Sequence, residues 1–364
     1  MYLEYFIVAI GLIPIYIFII RKLNLKLSTA LYIYSYRALF SLVYIFYANN
    51  NPADANMYIM GGEKTGIIGT GFVNRLVDIS GFFNIRGYSL YSLFGLFGAV
   101  GCCYLYCAIK NCDISGSKKL NTVSLLFCFL PSLTFWTLAP GKDSIIFLVI
   151  SYALYSYVKL DDNSIKINLN IIISTLALFL IRPHVGGALV ISYILFFTTQ
   201  IKKKRHAFIR FTILLIVSVT FLQLIPFFQK FASIENYNLL DSFVYLENRF
   251  SETSAEEINS NYIYRIIFFL FTPLPKISLS PLYLADYVNT IFISYYLFSI
   301  LKDKKSYKNI ISNPFFFFSI ILLLLLPLII FNPGVATRQK WMFLPPLIVS
   351  LKKNRYLNYK KLES

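Results

Sequence analysis

Four basic side chains in this sequence could grip an anion: Lys142, Arg182, Arg265 and Arg338. Arginine presents a planar fork of donors that matches phosphate and carboxylate. Acid–base groups are sparse, and Asp54, Asp143 and His184 are the candidates. A histidine or carboxylate within reach of a hydroxyl can serve as general base. Each residue also has a plainer role open to it. The arginines could pair with Asp54, Asp143 or Asp286, or reach toward lipid headgroups. Asp143 could cap a helix N-terminus, and His184 could be a solvated turn residue.

Other chemistries lack their residues. Glycines 61, 62, 66, 69 and 71 have neither Walker nor Rossmann spacing, so no nucleotide cradle is expected. There is no His-Glu-x-x-His, no Asp-x-Asp and no nucleophile elbow. The five cysteines (102, 103, 107, 112 and 128) lack metal-ligand spacing and read as small apolar fillers. No metal and no cofactor is expected.

The candidates must be held by elements built for lipid. The chain is 57% hydrophobic and 14% charged, with mean hydropathy +0.64. A soluble domain carries about a quarter charged residues. The expected fold class is therefore an all-α polytopic membrane protein, one integral membrane domain over 1–364. A net charge of +17 would suggest nucleic acid in a soluble protein. Here the basic residues form short clusters between apolar runs, which is positive-inside bias, and no nucleic-acid partner is expected.

A span needs roughly 20 apolar residues. About 11 transmembrane helices are expected, at 3–20, 30–48, 88–109, 121–139, 143–159, 167–182, 185–200, 207–228, 284–301, 315–331 and 339–351. The first reads as an uncleaved span, since its charges follow the apolar run. Basic clusters at 21–26, 110–119, 159–166, 201–210, 302–308 and 352–361 fall on one side, the cytoplasm. The N-terminus is then outside and the C-terminus inside. The apolar, proline-broken stretch 262–284 spoils the alternation if it spans, so it reads as a re-entrant or interfacial outer segment.

Arg182-Pro183-His184 becomes the outer turn of a helical hairpin in this topology. The outer face also receives a first loop, 49–87, the turn "PGKD" (140–143), a large loop, 229–261, and "NPGVATRQK" (332–340). Lys142, Arg182, Arg265 and Arg338, with Arg75, Arg86 and Lys276, all fall on or near it. A cationic cluster at an outer leaflet suits a lipid-linked pyrophosphate. The large loop holds Asp241, Glu247, Glu252, Glu256 and Glu257 among aromatics, a composition suited to sugars.

Several stretches resemble the O-antigen polymerase (Wzy-type) family of polysaccharide polymerases. They are "DANMY" (54–58) before "GTGFVNRL" (69–76), "FLPSLTFWTLAPGKDSIIFLVISY" (129–152), "IRPHVG" (181–186), "FFLFTPLP" (268–275) and "GVATRQKWMFLPPL" (334–347). The resemblance implies a bacterial inner-membrane glycosyltransferase whose active face is periplasmic. It would move a growing glycan from undecaprenyl pyrophosphate onto a new lipid-linked repeat unit, for lipopolysaccharide or another surface polysaccharide. Lys142, Arg182 and Arg338, with Arg265 as a fourth, would contact the pyrophosphate. Asp54, Asp143 or His184 would orient or deprotonate the acceptor hydroxyl. Implied partners are undecaprenyl-pyrophosphate-linked oligosaccharides, membrane lipid, a chain-length regulator and a flippase. The acidic part of the large loop matches no motif of the family. Three alternatives remain open: a repeat-unit flippase or transporter, another polyprenyl-dependent glycosyltransferase, and an O-antigen ligase.

Overall fold

The computed structural model describes residues 2–51, 53–60, 68–112, 124–160, 168–200, 262–271, 281–307, 310–330 and 333–363. Among them every regular element is helical and no strand occurs. Among the described residues four helices are long and apolar enough to cross a membrane: Tyr2–Arg21, Leu27–Asn50, Ser89–Asn111 and Leu284–Leu301. The expected span 207–228 and the large loop 229–261 lie outside the described residues.

By internal contact the chain divides into two compact units. The first comprises Met1–Pro183 with Tyr359–Ser364. Its centre is the Ser89–Asn111 helix, which packs most extensively on Lys142–Val158 and then on Leu27–Asn50 and Tyr2–Gly11. Small residues allow this closeness, as they do wherever helices meet in lipid. A Cβ on Gly101 would meet the Phe147 ring at 2.9 Å. All five cysteines are buried free thiols, three of them on this central helix. Large apolar side chains such as Ile7, Ile10, Phe18, Tyr32 and Phe46 are exposed on the first two apolar stretches.

Two expectations meet a different outcome in this unit. Within the expected span 121–139, the described residues 124–139 do not form a single helix. A helical turn at 124–127 breaks at Cys128–Leu130, and the six-residue helix Pro131–Trp136 follows. Pro131 is the reason: the residue before a proline avoids helical dihedrals, and Leu130 is extended at φ −61°, ψ 125°. The first outer loop is in turn not all loop. It contains the short helix Asp54–Ile59 and the longer Thr70–Phe82.

The second unit is His184–Asn358. The Tyr262–Phe271 helix packs on Pro314–Ile329. This helix is the first part of the expected re-entrant stretch, residues 272–280 lie outside the described set, and Pro281 opens the next helix. The last helix, Pro333–Glu363, is much longer than the expected 339–351 and runs through Pro345 and Pro346. It meets Pro281–Leu301, where Lys352 Nζ lies 5.6 Å from the centre of the Tyr296 ring. Asn354 donates to the Ser306 carbonyl at 2.8 Å, and Arg355 pairs with Asp303 at 2.8 Å. These contacts fasten the turn 303–306 to the last helix.

Candidate functional site

The first unit gathers residues from three distant stretches at one place. Arg182 follows the Leu169–Ile181 helix as its C-cap, in extended backbone. Its Nη2 donates to Asp143 Oδ1 at 2.7 Å, and the two side chains are only 9% and 14% exposed. Asp143 lies in the first turn of Lys142–Val158, where the helix dipole favours an acid. The N-cap itself is Gly141, so Asp143 is an ion-pair partner in a favourable field and not the capping residue.

Two glycines at positive φ shape the turns beside this pair. Gly69 has φ 69°, and its N–H donates to the Leu180 carbonyl at 2.8 Å. A Cβ there would come within 3.5 Å of Lys142 Nζ. Gly141 has φ 156°, and a Cβ on it would lie 3.6 Å from the Tyr58 ring. Glycine alone reaches such dihedrals without strain. The turn that ends in Lys142 thus lies beside Tyr58, and the Lys142 ammonium lies near Gly69.

Tyr58 marks the centre. It is buried, one helical turn after the exposed Asp54 and on the same face. Burial is the main force raising its phenol above the ordinary value. Contact with the Thr70 hydroxyl opposes that rise. Asp54 and Asp143 add to it, and Arg182 subtracts. One phenol therefore feels Asp54, Asp143 and Arg182 together. Four of the residues singled out in the sequence, Asp54, Lys142, Asp143 and Arg182, surround Tyr58 and Gly69. Tyr58 and Thr70 were missed as site residues. The available signals were the Asp54–Tyr58 spacing and the glycine at 69.

The remaining candidates belong to the second unit. His184 is the second residue of Pro183–Gln200 and is half-buried. Arg265 lies on Tyr262–Phe271 and Arg338 in the first turns of Pro333–Glu363, both half-buried. Asp286, named above as a possible arginine partner, acts electrostatically on buried Lys340. Asn289, on the same helix face as Asp286, is fully buried. Arg75 and Arg86 are exposed, and Lys276 lies outside the described residues.

The cluster in the first unit holds two cations and two acids, so its charge is balanced. It can orient a polar group between a fixed guanidinium and a carboxylate, beside a lysine that carries a second positive charge. Among the described residues no group of three or more His, Cys, Asp or Glu is placed to hold a metal ion. Comparison with protein-family models, with curated proteins and with solved structures finds no match in any of the three.

Proposed function

We propose that this chain is a multi-pass membrane glycosyltransferase that polymerises lipid-linked repeat units of a surface polysaccharide. One observation carries this reading. Residues singled out separately for their chemistry, from 54, 142–143 and 182, converge around Tyr58. An acceptor hydroxyl oxygen would attack the anomeric carbon of the donor glycan. The carbon–oxygen bond to undecaprenyl pyrophosphate would break, the acceptor proton would pass to Asp54 or Asp143, and the pyrophosphate would leave toward Lys142 and Arg182. A guanidinium already fixed in place stabilises developing charge without reorganising at the moment of reaction. The topology that goes with this reading has about 11 spans and an outer N-terminus. The C-terminus and basic clusters are cytoplasmic, and the 54–182 cluster faces the periplasm of a bacterial inner membrane.

A flippase for a similar lipid-linked sugar is the second reading. Lys340 favours it, because a buried ionisable residue within a span marks a substrate or proton path. The two separate on a gel of surface polysaccharide from a strain lacking the gene, with and without a plasmid copy. A core bearing one repeat unit, with the ladder lost, supports the polymerase. Loss of every repeat unit removes it in favour of a flippase, a ligase or an earlier transferase.

A further inference from the structure

Arg37 sits ten residues into the Leu27–Asn50 helix and is 1% exposed. At 1.5 Å per residue that is about 15 Å from the helix start, the middle of a span. A fixed charge there is costly and calls for a reason. No acid partners it among the described residues. Its Nη1 donates to the Thr137 carbonyl at 3.2 Å and its Nη2 to the Thr137 hydroxyl at 2.6 Å. The Phe147 ring centre lies 5.9 Å from Cζ.

Thr137 ends the short helix that breaks the expected span 121–139. A broken helix inside lipid exposes carbonyls that only protein donors can satisfy. The Leu27–Asn50 helix supplies two of them. Tyr36 donates to the Phe129 carbonyl at 3.0 Å, and Arg37 takes Thr137. The Thr137 hydroxyl passes the connection on by donating to the Leu133 carbonyl. Gly98 makes the room, since a Cβ there would fall 2.1 Å from Arg37 Nη1 and 2.2 Å from the Thr137 carbonyl. Only four residues, "LAPG" (138–141), separate Thr137 from Lys142 and Asp143.

We propose that Arg37 is a positioning residue: a forked cation within the span that fixes the end of the short helix at Thr137 and so sets where Lys142 and Asp143 stand. Its importance for catalysis rests on reading the 54–182 cluster as the site. The fork is the essential feature, because a lysine keeps the charge but cannot hold carbonyl and hydroxyl in one plane.

The test uses the purified full-length chain in lipid nanodiscs. Lys142→Cys and Asn50→Cys serve as separate reporters, read by labelling rate with a water-soluble maleimide above the background of the native cysteines. Each reporter is combined with Arg37→Met, Arg37→Lys or Thr137→Val. The expected result is a change of about fivefold at residue 142 for both Arg37 variants, as losing a hydrogen bond of this class implies, with residue 50 nearly constant. Thr137→Val should give a smaller change of the same sign. An unchanged rate at 142 in folded Arg37→Lys overturns the proposal, and so does an equal change at both reporters, which marks general loosening. If Arg37→Met and Arg37→Lys fail to fold, an unchanged rate in Thr137→Val overturns it. Labelling needs neither polysaccharide nor a membrane orientation, so it still reads if the gel removes the polymerase.

Discussion

Arg182 and Asp143, 39 residues apart in sequence, form a nearly buried ion pair at 2.7 Å. The pair joins the C-terminus of one helix to the first turn of another. Its removal differs from that of a surface pair, which is worth at most about 1 kcal/mol. Truncating one partner leaves the other charged and desolvated, at a cost of about 3 kcal/mol or more.

Arg182→Ala should therefore lower thermal stability and, on the polymerase reading, abolish the polysaccharide ladder. Asp143→Asn, which keeps the shape, should destabilise less. The two together should cost less than the sum of the singles, by at least about 0.5 kcal/mol for residues in direct contact. Detergent-solubilised melting followed by size-exclusion fluorescence measures all three. Strict additivity would mean that the pair contributes no coupling and that Arg182 acts alone.

The glycines separate tight approach from ordinary helix. Gly98→Ala should cost more than about 3 kcal/mol or prevent folding, because the added atom meets backbone that cannot step aside. Gly11→Ala is the control. Nothing lies within 4 Å of a Cβ there, and the residue is helical. It should be neutral or stabilising by about 0.5 kcal/mol. Melting temperatures of the two variants decide the matter. A well-folded Gly98→Ala protein would contradict the close packing of Arg37 on Thr137.

Part of this arrangement was legible in the sequence and part was hidden. Arg182-Pro183 stood out because proline and a cation interrupt an otherwise apolar run. Lys142-Asp143 stood out because "PGKD" punctuates two apolar stretches. Their meeting with Asp54 depends on the left-handed turn at Gly69, which spacing does not reveal. Arg37 was hidden because one charge in a 24-residue apolar helix does not break the hydropathy pattern. The break at Cys128–Leu130 was masked by the unbroken hydrophobicity of 121–139, although Pro131 was its visible sign.

Tyr58 offers a pH-dependent check. Its phenol is raised above its ordinary value of 10.0, chiefly by burial. The folded state then holds the proton more tightly than the unfolded chain. Stability from this group is full below pH 10 and is lost as pH rises through the folded value. Tyr58→Phe should lose about 1 kcal/mol at neutral pH through its contact with Thr70. It should also show a shallower fall in stability above pH 10 than the parent. Melting at pH 8 and pH 10.5 measures both, and parallel alkaline slopes would remove Tyr58 from the buried setting described here.

Orientation is the last prediction, because every role assigned to the 54–182 cluster depends on it. The Ser89–Asn111 helix is long and apolar enough to cross a membrane, and the turn at Asn84 precedes it. Lys304 follows the Leu284–Leu301 helix, beside Lys302 and Lys305. Positive charge is retained in the cytoplasm. Alkaline phosphatase fused after Asn84 should be active, since it folds only outside. The same fusion after Lys304 should be inactive, while a fluorescent protein placed there should glow. The reverse pattern would place Asp54, Lys142, Asp143 and Arg182 on the cytoplasmic side, where a periplasmic transfer reaction has no access to them.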